Sequence, residues 1–192
     1  MAIQIEHAMT VTDYIEWEAR QELKHEYIDG AIIEVSGGTG NHSKIMVNIS
    51  AVIYNQIDHS NCVVHSSEMR VKVSDTRYVY PDLSALCGEE VYEDESEVTL
   101  LNPVFVVEVT SPSSATYDRV DKLGFYLDVP SIEAYLIVDQ DRLRADLYTR
   151  AEEGWYVRVF NQPEAVIPLD ALNCELSLAQ VYRGIQLAEA VD

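Results

Sequence analysis

The segment Val104-Phe105-Val106-Val107-Glu108-Val109 is apolar at every position but one, and that run restricts the folds open to this chain. A strand that is apolar on both faces belongs inside a sheet covered on both sides. An unpaired carboxylate in such a strand is costly, which singles out Glu108. A second acid stands in similar surroundings, in Tyr80-Pro81-Asp82-Leu83-Ser84-Ala85-Leu86. Pro81 has no N–H to give to a ladder and favours a sheet edge or the first residue of a strand, so Asp82 lies at a strand mouth. If the two strands pair, Asp82 and Glu108 converge. Two bare carboxylates about 4 Å apart repel by about 4 kcal/mol at an effective dielectric of 20, and a cation between them removes that cost. Mg²⁺ suits the place, because it takes one or two carboxylates, keeps several waters and completes its shell with substrate phosphates. On these residues alone, helix capping, solvation at a strand edge and pairing with arginine remain alternatives to metal binding.

The surrounding pattern predicts an α/β domain in which strands outnumber helices. Thr10 or Thr12 can cap a helix reaching Arg20. Residues 25–35 read as a hairpin turning at Asp29-Gly30, a dipeptide that tolerates positive φ. Ile45, Ile49, Val52, Ile53 and Ile57 follow helical spacing over residues 41–58, and His42 projects from the same buried face. Strands are expected at 62–65, 68–73, 79–87 and 104–110, a helix at 117–127 stopped by Pro130, and further strands at 134–138, 143–149 and 155–160. Residues 176–186 read as a terminal helix. No repeat or linker divides the 192 residues, so a single domain over residues 1–192 is expected.

The formal net charge of −20, with a sequence pI near 4.4, argues against a tightly bound nucleic acid, whose phosphates call for a basic surface. The distribution sharpens this. From Tyr78 to Asp118 there is no Lys or Arg among 41 residues, yet nine acids stand there. Most of them crowd into residues 88–97, which read as a solvated loop. Cys62, Cys87 and Cys174 are odd in number and widely spaced, so no complete disulfide framework is expected, and a reducing cytoplasm fits. The opening Met-Ala-Ile-Gln-Ile-Glu-His lacks the basic start and apolar stretch of a signal peptide. The longest apolar run, residues 134–138, is too short to span a bilayer.

Other candidates are weaker. His59, Cys62 and His65 resemble a metal clip, but on a strand an offset of three sends Cys62 and His65 to opposite faces. Ser111, Ser113 and Ser114 lack the glycines of a nucleophile elbow and suit turn and capping duty. Asp118 and Lys122, four apart on one helical face, form a surface ion pair or deliver Lys122 to the carboxylates. Gly37, Gly38 and Gly40 match no phosphate-binding pattern. The bland reading of His42 is a buried structural histidine.

Several blocks in order resemble the Uma-two family of endonucleases, within the PD-(D/E)XK restriction-endonuclease-like superfamily. They are Glu26-Tyr27-Ile28-Asp29-Gly30, Gly38-Thr39-Gly40-x-His42, Pro81-Asp82, Val107-Glu108-Val109-Thr110-Ser111-Pro112-Ser113-Ser114, Asp118-Arg119-x-x-Lys122-Leu123-x-x-Tyr126 and Ile132-Glu133-Ala134-Tyr135-Leu136-Ile137-Val138-Asp139. The resemblance implies a mixed sheet flanked by helices, with an N-terminal β-hairpin, and a metal site where strands diverge. It makes Asp82 and Glu108 the motif acids. It places His42 beside the site. The superfamily lysine is expected two residues after Glu108, where this chain has Thr110, and Lys122 on the following helix would fill that role. The implied activity is phosphodiester hydrolysis. Asp82, Glu108 and the Val109 carbonyl would hold Mg²⁺ or Mn²⁺, Lys122 would orient water or offset phosphate charge, and Glu34 and Asp118 would support them. DNA is the expected substrate, bound weakly and salt-sensitively, with Lys44, Arg70, Lys72, Arg77, Arg119 and Lys122 the basic groups near the site. A catalytically silent binding module is the rival, with Tyr148, Val157 and Val159 facing a partner or a second copy. A small-phosphoester hydrolase is the third reading.

Overall fold

The structure is a computed structural model that describes residues 9–112 and 114–187. The opening heptapeptide and Ser113 lie outside the described residues. The Thr10 hydroxyl accepts the Asp13 N–H at 3.2 Å and starts α1 (Val11–Glu18). Strands β1 (His25–Ile28) and β2 (Ala31–Glu34) meet at Asp29 and Gly30, whose φ values of 50° and 96° are those a tight hairpin demands. Thr39 caps α2 (Gly40–Tyr54). Next come β3 (Cys62–Ser66), β4 (Arg70–Ser74), β5 (Arg77–Val79), β6 (Leu83–Cys87), β7 (Thr99–Leu100) and β8 (Phe105–Thr110). A π-helical segment, Tyr117–Lys122, runs straight into α3 (Leu123–Asp128), and Pro130 lies just beyond its end. The chain then forms β9 (Ala134–Asp139), β10 (Ala145–Ala151), β11 (Gly154–Phe160), β12 (Val166–Leu169), a 3₁₀ turn, β13 (Cys174–Ser177) and α4 (Leu178–Val181).

These strands build a five-stranded sheet, β2-β1-β5-β4-β7, and a six-stranded sheet, β11-β10-β9-β8-β6-β3. The second is mixed: β8 runs parallel to β9 and antiparallel to β6. Every residue of β8 is buried, as the doubly apolar sequence requires. On one face Val106 packs with Leu86, Tyr135 and Ile137, and against Val71, Val73 and Val79 of the five-stranded sheet and Tyr126 of α3. On the other, Val107 and Val109 meet Ile45, Ile49 and Ile53 of α2 together with Leu176 and Val181 near the C-terminus. A small aromatic core of Tyr14, Tyr27 and Tyr78 fixes α1 to the five-stranded sheet.

Several expectations are corrected. Residues 79–87 are two strands in different sheets, because the chain crosses between sheets at Tyr80-Pro81-Asp82, where Pro81 has no N–H to offer either ladder. Residues 176–186 are not one helix: Leu176 pairs with Ile167 in a β-hairpin, and only Leu178–Val181 is α-helical. Cys62 and Cys87 stand opposite one another in the β3–β6 register and form a disulfide; an odd count excludes a complete framework but not a single bond. His65 Nε2 donates to Glu90 Oε1 at 2.8 Å and Cys62 is held in the disulfide, so two residues of the metal clip are otherwise engaged. The acidic loop is not wholly solvated, since Glu93 binds Lys72 at 2.9 Å and the Tyr78 hydroxyl at 2.7 Å. Val157 and Val159, on the terminal strand β11, are about half exposed, and Tyr148 is partly buried. No described helix is long and apolar enough to cross a membrane.

The disulfide closes a sequence separation of 25 residues. Reducing it should lower the unfolding free energy by about 3 kcal/mol. Urea denaturation with and without a reductant, alongside Cys62→Ala, measures this; an unchanged midpoint on reduction would show that the cross-link contributes nothing.

Candidate active site

The crossing between sheets places the first carboxylate. Leu83 pairs with Val107 across the antiparallel β6 and β8, so Asp82, one residue earlier, comes beside Glu108 and Val109. Its Oδ2 accepts the Val109 N–H at 2.7 Å and lies 3.0 Å from His42 Nε2. Asp82 keeps access to solvent, with 17% of its side chain exposed. His42 reaches it from the first turn of α2, past Gly38. A Cβ at Gly38 would stand 2.5 Å from His42 Nδ1, so only glycine lets the ring lie there. His42 is thus partly exposed at a site mouth, not a buried core histidine. The hydrogen bond to Asp82 raises its pKa above 6.5, against the opposing effect of burial.

Glu108, the residue before Val109, is almost wholly buried and close enough to Asp82 to feel its charge. Its Oε1 accepts from Lys122 Nζ at 2.9 Å and from the Tyr126 hydroxyl at 2.7 Å. The same Nζ lies 2.8 Å from Glu26 Oε1. Glu26 also accepts the Tyr80 N–H at 3.0 Å and the Tyr117 hydroxyl at 2.8 Å. Lys122 therefore sits between two buried carboxylates from two different sheets. Burial works against its charge, but Glu108, Glu26 and Asp118 outweigh it and hold its pKa well above the usual value. Burial raises Glu108 well above the ordinary carboxylate range, as do Asp82, Asp118 and Glu26, with Lys122 opposing. Asp118 is likewise buried and raised, first by burial.

The π-helical segment explains how Asp118 and Lys122 both turn inward. The Leu123 N–H reaches back five residues to the Asp118 carbonyl, which widens the turn. Such widened turns recur at functional sites. In place of a surface ion pair with Asp118, Lys122 pairs with the buried carboxylates of Glu26 and Glu108. Glu34 is corrected: it lies exposed at the end of β2 opposite His25, and the hairpin acid that reaches Lys122 is Glu26. The sequence signal for Glu26 is a lone carboxylate beside Tyr27 and Ile28 in a strand buried at three of its four positions. Tyr117 is the other residue missed. Ser111 and Ser114 hydroxyls bond one another at 3.1 Å, as turn duty requires.

Among the described residues, no three His, Cys, Asp or Glu side chains are grouped to hold an ion. The side-chain oxygens on offer here are the carboxylates of Asp82 and Glu108. These are hard oxygen donors, which fit Mg²⁺ or Mn²⁺. The surplus of acid supports the fit, because Glu26, Asp82, Glu108 and Asp118 influence one another with Lys122 as the buried cation among them.

A family described as "Putative restriction endonuclease", Uma2, matches residues 11–181. The chain belongs to the Uma2 family. Two similar proteins come from Synechocystis. "Uncharacterized protein slr1290" is 33% identical over 174 residues, 90% of each chain. "Uncharacterized protein sll1609" is 30% identical over 151 residues, 78% of this chain and 85% of that one. The crystal structure of "a putative nuclease belonging to DUF820" from Anabaena variabilis superposes with a TM-score of 0.77, covering 93% of this chain and 99% of that one at 22% identity. This Uma2 chain thus has the restriction-endonuclease-like fold, a mixed α/β architecture with helices flanking its sheets.

Two outcomes follow from the site. The His42 pair with Asp82 contributes stability that is fully present below pH about 6.5 and is lost as pH rises through the raised folded pKa. An NMR titration should place the His42 midpoint above 6.5, and Asp82→Asn should bring it down; a midpoint unmoved by that change would break the assignment. Lys122→Met should cost about 3–5 kcal/mol, because it leaves Glu26 and Glu108 buried without their cation. Chemical denaturation checks this, and a loss under 1 kcal/mol would contradict it.

Proposed function

We propose that this Uma2 protein is a metal-dependent endonuclease that hydrolyses phosphodiester bonds of DNA. The observation that supports the reading is that Asp82 is bound to the Val109 N–H while Glu108, the preceding residue of β8, feels its charge and accepts from Lys122. When bound by Asp82, Glu108 and the Val109 carbonyl, Mg²⁺ or Mn²⁺ would supply Lewis acidity toward a phosphoryl oxygen and make a water more acidic. The chain's own residues do the positioning. The Val109 N–H and His42 fix the Asp82 carboxylate, while Lys122 and Tyr126 fix that of Glu108. Two of the three donors of the Lys122 ammonium are taken by Glu26 and Glu108. Its first role is therefore to hold Glu108 and balance charge, with one donor left for water or phosphate. Hydrolysis forms one P–O bond from water and breaks another, and the leaving oxygen takes up a proton.

One observation favours a substrate smaller or simpler than a tracked duplex. Arg70 donates to Thr99, Lys72 binds Glu93, Arg77 binds Asp29 and Arg119 binds Asp146. Four of the six basic groups expected near the site are thus paired within the protein, and Lys44 stands exposed on α2, which suits weak, salt-sensitive binding.

Incubation with supercoiled plasmid and with oligonucleotides, with Mg²⁺ or Mn²⁺, should give cleavage that chelation abolishes and that Asp82→Ala or Glu108→Ala lowers by at least a hundredfold. Cleavage that survives both substitutions would remove the active-site assignment. Metal binding without any phosphodiester cleavage would favour the silent module.

A further inference from the structure

Helix α2 buries Ile45, Ile49 and Ile53 but leaves a second face uncovered. Along it, Ser43, Met46, Val47, Ser50 and Tyr54 line a cavity of about 850 Å³ whose opposite wall includes Val64 of β3 and the serines Ser66 and Ser67. The cavity ends at His42 and Asp82, so one end is the candidate active site itself. From His42 to Tyr54 the helix advances about 18 Å. At the far end Tyr54 is 59% exposed, and its ring lies 4.4 Å from that of the exposed His59. Strand β3 closes the groove as the terminal strand of its sheet.

The chemistry of the lining is selective. Among the described residues no Lys or Arg lines the groove, whose basic groups are His42 and His65 and whose one acid is Asp82, so it offers little fixed positive charge to phosphates. Apolar side chains, an aromatic step and hydroxyl groups suit the faces and edges of nucleobases, which stack on aromatic rings whatever their sequence. Bases inside a duplex are hidden by pairing and stacking, and the chain's net charge of −20 repels the dense charge of a double helix. A single strand can turn its bases into the groove and leave its phosphates in solvent.

Resting on the reading of Asp82 and Glu108 as a nuclease site, we propose that the groove between α2 and β3 binds the unpaired bases of single-stranded DNA, with Tyr54 as the stacking platform and Asp82 at the cleavage end. Fluorescence anisotropy of the full chain in Ca²⁺ buffer, with a labelled 12-nucleotide single strand and the same sequence as a duplex, tests it directly. The single strand should bind at least tenfold more tightly. Tyr54→Ala should weaken it about tenfold, and Tyr54→Phe should retain it. Circular dichroism of the exposed-site variant confirms that it is folded. Equal or tighter duplex binding, no binding of either strand form, or no effect of Tyr54→Ala would overturn the proposal. Cleavage is scored separately with Mg²⁺ and Glu108→Ala. Preferred single-strand binding without cleavage would leave the groove assignment standing and remove the nuclease reading, while cleavage without strand preference would do the reverse.

Discussion

The Lys122 ammonium is the charge on which this architecture turns. It bonds Glu26 from the five-stranded sheet and Glu108 from the six-stranded sheet, and it is carried by the helical segment that packs against both. A buried carboxylate without a partner costs several kcal/mol, so Glu26 and Glu108 would each be strongly destabilising in their strands if the lysine were absent. The widened turn at Tyr117–Lys122 delivers it. The tyrosines around it, Tyr117 on Glu26 and Tyr126 on Glu108, use further carboxylate lone pairs and hold the acids in place. Fold and site are therefore one construction: the group that makes the buried acids tolerable is also the group that orients one of them.

The same electrostatics explain why the acids at the centre call for more cation than the chain supplies. Burial and mutual repulsion hold Glu108 and Asp118 above the ordinary carboxylate range. Asp82, by contrast, retains solvent access and is fixed by a backbone N–H and an imidazole. A divalent ion between the accessible and the buried acid would relieve that imbalance. The overall charge of −20 has less bearing on this than its local arrangement, since charges beyond about 10 Å are screened at ordinary salt. Two of the six acids of the loop are also tied inward, Glu90 to His65 and Glu93 to Lys72.

The central strand, the hairpin at Asp29-Gly30, the first long helix and the meeting of Asp82 with β8 were all legible, because each rests on a short-range rule: apolar runs, turn residues, helical period, a proline at a strand start. What escaped depends on the third dimension. Nothing local tells that Tyr80-Pro81-Asp82 changes sheets, or that a widened turn carries both Asp118 and Lys122 inward. Glu34 and Glu26 are both acids on the same hairpin, and only the sheet packing shows that Glu26 is the one facing Lys122. The pairing of Cys62 with Cys87 needs the β3–β6 register, and β7 is too short, at two residues, to leave a pattern.

The proposed hydrolysis requires a divalent ion shared by Asp82 and Glu108. Anomalous diffraction from crystals soaked in millimolar Mn²⁺ locates such an ion without reference to activity. The expected result is one peak touching both carboxylates and the Val109 carbonyl, absent from Glu108→Ala crystals. No peak at that position, or an ion held elsewhere with Asp82 and Glu108 untouched, would contradict it.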